Sequence, residues 1–167
     1  MSQPAEAASG IGSARSPLVA QRFTPPQPAV PLPPNLHWGL CILINLVSCG
    51  LFGTVWSFIQ ANWAKKIRPD NPAMVFLAGY VAAFFVAIVL STSESTENVG
   101  TFVNLGGVVM FVIAQFKVRR AMEDYFNTEE PIHLVLSGVM TFFFGWIYLQ
   151  YHFNRIYDWK RTGYLKP

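Results

Sequence analysis

Charge is what this chain has least of. Charged residues make up 13% of its 167 positions, about half of the roughly 25% usual in soluble domains. The charge also avoids four long stretches, residues 23–64, 71–93, 98–116 and 131–154. All 12 Lys and Arg and all 9 Asp and Glu lie outside them. A helix of a water-soluble bundle keeps charge along one wet face. The absence of such faces excludes an ordinary soluble domain and points to helices that lie in lipid.

Other absences narrow the function. The chain has two cysteines, Cys41 and Cys49. Eight helical residues separate them by about 12 Å, beyond the reach of a disulfide. Neither has His or acidic neighbours, so no metal site is expected. His37, His133 and His152 form no i,i+3 or i,i+4 pair, and a metal needs at least three convergent ligands. Gly106-Gly107 lies in an apolar run without the Lys of a phosphate loop. No nucleophile sits in a recognisable motif. No catalytic residue and no cofactor is therefore expected. The net charge of +3 is small and dispersed, which argues against nucleic acid. The uncharged stretches hold no ionisable Asp, Glu, Lys or Arg, which argues against proton-coupled transport. The first 20 residues lack an apolar core, so no cleavable signal peptide is expected.

What is present is a membrane pattern. Residues 1–35 hold Pro25, Pro26, Pro28, Pro31, Pro33 and Pro34 and read as a disordered tail. A helical membrane domain is expected over residues 36–161, followed by a short tail over 162–167. The fold expected is all-α and polytopic. Residues 73–90 and 99–116 are apolar and of spanning length. Pairs Arg119/Glu123 and Arg120/Asp124 suggest that the second span continues as helix to about Phe126. Residues 36–64 as one straight helix would reach about 43 Å, too long for a hydrocarbon core of about 30 Å. Their middle, Ser48 to Thr54, contains Gly50 and Gly53 and is the weakest helix former in the run.

The first and last apolar stretches share a motif. Trp56, Phe58, Ile59, Gln60, Trp63 and Lys65 match Trp146, Tyr148, Leu149, Gln150, Phe153 and Arg155 in spacing and type. Each block follows a Phe-Gly step, Phe52-Gly53 or Phe144-Gly145. The cations decide between two topologies. If all four stretches cross, six cations face each side, which leaves no bias. If the outer stretches are re-entrant or interfacial hairpins turning near 50–53 and 143–145, all 12 lie on one side. The loop on the other side then carries only Glu94 and Glu97. The positive-inside rule favours the hairpins and places the cation-bearing connectors in the cytoplasm; the length of the fourth stretch suits a plain crossing.

Gly50-Leu51-Phe52 followed by Trp56, Trp63, Lys65 and Lys66 resembles a loose group of small bacterial inner-membrane proteins that carry a Gly-Leu-Phe step before a Trp-rich, basic-ended helix. Phe143-Phe144-Gly145 with Trp146 and Tyr148 is a degenerate second copy. The resemblance implies a multi-pass protein of the bacterial inner membrane and supplies no catalytic residues.

Two residue groups remain as candidate sites. Trp56, Trp63, Lys65, Lys66, Arg155, Trp159, Lys160 and Arg161 mix aromatic and basic character and suit a headgroup layer, with the lipid bilayer and its anionic lipids as partners. Asn45, Gln60, Asn104 and Gln150 are polar groups at membrane depth, suited to interhelical hydrogen bonds or, for Gln60 with Gln150, a paired polar site. The function these features suggest is non-enzymatic, acting by interaction as a homo-oligomer or an accessory subunit of a membrane partner protein. The alternative is a transporter or channel subunit working as an oligomer.

Overall fold

The computed structural model describes residues 30–130 and 132–162. Most of the Pro-rich segment, with Arg15 and Arg22, and the last five residues, with Lys166, lie outside them. Among the described residues every regular element is a helix: α1 Trp38–Val47, α2 Leu51–Ile67, α3 Ala73–Leu90, α4 Glu97–Thr128 and α5 Gly138–Thr162.

α3 and α4 form the antiparallel centre, and both are long and apolar enough to cross a membrane. Local chemistry fixes where α3 starts. Arg68 precedes Pro69 and is extended at φ −137° and ψ 93°, which ends α2. The Asn71 Oδ1 then caps the Ala73 N–H at 2.8 Å. Small residues let the pair approach. A Cβ on Gly107 would lie 3.0 Å from that of Ala83, so glycine sets the local spacing. The Asn71 amide donates to the Lys117 carbonyl at 2.9 Å. α3 therefore covers α4 only from its start to about Lys117. The remaining turns of α4, to Thr128, extend beyond α3.

That extension carries the core. Ala61, Trp63, Ala64 and Ile67 of α2 meet Val118, Ala121, Met122 and Phe126 of α4 and Leu149, Phe153 and Ile156 of α5. Trp63 stands edge-on to Phe153 at 4.9 Å and stacks on Phe126 at 6.3 Å. Its indole donates to the Pro31 carbonyl at 2.8 Å. The headgroup role read for Trp63 is therefore corrected, because the ring is only 4% exposed and packed inside the bundle. The same bond shows that Pro31 docks on the domain, so contacts with the fold begin before residue 36.

The outer apolar stretches each fold back. α1 ends in a Schellman turn: Gly50 N–H donates to the Asn45 carbonyl and Cys49 N–H to that of Leu46. Cys49 at φ 51° and Gly50 at φ 91° take the left-handed conformations the turn requires. Residues 36–64 are thus two helices instead of one. In α5 the break is at Gly145, φ 43° and ψ −119°, a conformation a side chain disfavours. Ser137 N–H reaches the Tyr148 hydroxyl at 2.9 Å. Eleven residues of unbroken helix would hold them about 16 Å apart, so the chain reverses at Gly145.

The two hairpins share a plan beyond their sequence motif. An extended segment leads into an apolar arm, then a glycine at positive φ, then a Trp-Gln helix. The second extended segment is pinned to α4: Arg119 Nε donates to the Leu136 carbonyl at 2.9 Å, and Glu123 Oε1 accepts from the Leu136 N–H at 2.8 Å. Arg119 and Glu123 also pair with each other at 3.1 Å. The companion pair expected for Arg120 and Asp124 is not formed.

Candidate functional site

Where the hairpins meet, the chain buries amides. Gln60 and Gln150 are both fully buried. Gln60 Nε2 donates to Gln150 Oε1 at 3.2 Å and to the Trp146 carbonyl at 2.9 Å. The Trp56 indole donates to the same Gln150 oxygen at 2.7 Å. Gln150 Nε2 faces three acceptors, the carbonyls of Pro34 and Leu36 at 3.0 and 2.9 Å and Asn154 Oδ1 at 2.8 Å. Equivalent positions of the motif thus contact each other, and the later copy also holds the segment that precedes α1.

A second polar line runs along α2. Asn45 Oδ1 accepts from the Gly53 N–H at 2.8 Å. A Cβ on Gly53 would meet that oxygen at 2.7 Å and the Trp146 ring at 2.9 Å, so no larger residue fits. The Ser57 hydroxyl donates to the Gly53 carbonyl at 2.8 Å and accepts from Gln115 Nε2 at 3.2 Å. Gln115 of α4 was missed in the sequence, although it is the lone amide near the end of its uncharged run. Ser57, 1% exposed, gave no signal of its own.

The network is incomplete. Gln60 Oε1 and Gln115 Oε1 are buried and accept no hydrogen bond within the described residues. Each such oxygen costs about 1–3 kcal/mol. Gln115 also lines a cleft of about 220 Å³ beside the Gly145 reversal, walled by Phe111, Phe142, Phe143 and Trp146.

The other residues read from the sequence separate. Asn104 lies on the outer side of α4, away from the amides, beside Phe84 and Ser91. Lys65 and Lys66 are exposed at the end of α2. Lys160 pairs with Glu130 at 3.0 Å and lies 5.7 Å from the Phe126 ring. Arg155 sits over Tyr151 and Arg161 over Tyr157, each at 5.8 Å. Trp159 packs partly against the core. Trp56 is half-buried and stacks on Phe52 at 5.4 Å. His152 is buried between Tyr148 and Tyr151. Burial, and then the Arg155 charge, push its pKa down to about 4. Among the described residues no three His, Cys, Asp or Glu converge as a metal site would require.

No family model matches the chain, and neither a curated protein nor a solved structure matches it.

Proposed function

We propose that the chain is a non-enzymatic integral membrane protein that acts through interactions with lipids and with other membrane chains, its own copies included. α3 and the first part of α4 cross the bilayer. The α1–α2 turn and the Gly145 reversal dip into it as re-entrant hairpins from the cytoplasmic side.

The observation that carries this reading is the placement of exposed apolar surface. Leu46, Val47 and Leu51 at the first turn are 76%, 78% and 69% exposed, and Phe143 beside the second is 72% exposed. Water would penalise these side chains, whereas hydrocarbon does not. The Gly145 reversal lies against Phe111, Val112 and Gln115, just inside the uncharged part of α4. The second tip therefore sits at the depth of the span's last turns. The polar backbone of the α1–α2 turn is closed by the Schellman bonds and by Asn45, as hydrocarbon demands. The cations on the described residues gather toward the other end, while residues 91–96 between the spans carry Glu94 alone. The positive-inside rule then assigns the core-bearing end to the cytoplasm.

Topology mapping tests this directly. Cysteines introduced at Leu36 and Gly163, in a chain with Cys41 and Cys49 replaced, are expected to react only from the cytoplasmic side. Reaction of both with an impermeant reagent applied outside establishes four crossings and ends the hairpin reading. Crosslinking in native membranes tests the interaction role, and a strictly monomeric, partnerless chain overturns it.

A further inference from the structure

At the base of the α3–α4 pair lies a cavity of about 270 Å³ that none of the roles above uses. Arg68, Lys117 and Arg120 line it, and so do Asp70 and Asp124. These five charges make no ion pair with one another; the ion pairs formed among the described residues are Arg119–Glu123 and Lys160–Glu130. Arg68 Nε is withdrawn from solvent yet donates to nothing, although the far end of the same guanidinium reaches Thr128 Oγ1 at 3.5 Å. A buried, unused donor on a cationic group is costly unless an acceptor completes it.

The chemistry of the lining selects the ligand. Two guanidinium groups and an ammonium suit a phosphate, which guanidinium binds in fork geometry. Asn71 and Pro72, the two residues just before α3, complete the cavity wall. Asp70 and Asp124 oppose a bare anion. They fit a ligand that also carries an ammonium with N–H donors. Location supplies the source. The apolar run of α3 starts, and that of α4 ends, beside this cavity. In the membrane reading above, on which this inference rests, that is headgroup depth.

We propose that the cavity binds the headgroup of an ethanolamine-type glycerophospholipid, with its phosphate on Arg68, Lys117 and Arg120 and its ammonium on Asp70 and Asp124.

The test uses the full-length protein in nonionic detergent, with thermal unfolding followed as lipid is titrated. Phosphatidylethanolamine is expected to stabilise the protein at roughly tenfold lower concentration than phosphatidylglycerol, which lacks the ammonium, or phosphatidylcholine, whose quaternary nitrogen donates no hydrogen bond. The Lys117→Gln/Arg120→Gln variant is expected to lose the response to every lipid. Asp70→Asn/Asp124→Asn is expected to keep a response but lose the preference for ethanolamine. Helicity and lipid-free unfolding of both variants, compared with the parent, separate a lost ligand from a lost fold. Phosphatidylglycerol binding as well as phosphatidylethanolamine overturns the proposal, as does an unchanged response in the Gln variant. Equal stabilisation by free O-phosphoethanolamine overturns the lipid assignment in favour of a soluble phospho-amine. The membrane reading fails separately, if alkaline carbonate strips the protein from its membranes.

Discussion

Gln60 and Gln150 stand ninety positions apart in the chain and share a hydrogen bond of 3.2 Å in its centre. The two amides contribute unequally. Gln150 serves the Trp56 indole, Gln60, Asn154 and the carbonyls of Pro34 and Leu36. Gln60 leaves its own oxygen without a partner. Gln150→Leu is therefore expected to cost about 3–5 kcal/mol, since it strands several buried groups, and Gln60→Leu only about 1–2 kcal/mol. Equilibrium unfolding in detergent measures both. A Gln60→Leu variant less stable than Gln150→Leu contradicts the assigned bonding.

Glycine at the two reversals makes a second ranked expectation. Gly50 has open space around its Cβ position, so only its φ of 91° resists a side chain; Gly50→Ala should cost about 1 kcal/mol. Gly145 combines φ 43° with ψ −119°, outside the left-handed helical well. Gly145→Ala should cost about 2–3 kcal/mol or straighten α5. Distances between spin labels on Ser137 and Tyr148 report which happens.

Trp63 distinguishes core from headgroup layer. Trp63→Ala should lose about 3–5 kcal/mol of stability. A chain retaining only Trp63 should show little fluorescence quenching by brominated lipids. One retaining only Trp38, 44% exposed on α1, should be quenched strongly. Equal quenching would return Trp63 to the lipid boundary.

His152 predicts a pH dependence with a definite sign. Its folded pKa of about 4 lies below the ordinary 6.5. Between those values the unfolded chain binds a proton that the folded chain refuses. The contribution to stability is complete above about pH 6.5 and falls by up to about 3 kcal/mol as pH drops to about 4, then levels off. His152→Gln should remove this slope while leaving that of the carboxylates. An identical pH profile in parent and variant refutes it.

The sequence made some of this legible and hid the rest for physical reasons. α3 occupies Ala73–Leu90, the bounds read from its uncharged run, because composition alone decides a span. The repeat pointed to Gln60 with Gln150, since equal spacing places equal side chains. Trp63 misled because an indole beside lysines suits a headgroup layer and a core equally well, and only the approach of Phe126 and Phe153 decides between them. Gln115 escaped because its partner, Ser57, lies 58 positions away on another helix. The docking of Pro31 and Pro34 was hidden for a different reason: proline composition describes a free chain, while carbonyl acceptors offered to Trp63 and Gln150 give that chain a place to stop.

The grip of Gln150 on the Pro34 and Leu36 carbonyls orders the protein's birth. During synthesis α1 and α2 leave the ribosome long before α5 exists. Until then the Trp56 indole, the Gln60 amide and the carbonyls before α1 await an acceptor or donor that has not been made. The bonds that hold the first hairpin are therefore completed last, when α5 closes onto the segment before α1. A chain stalled before residue 150 would carry those polar groups unmet.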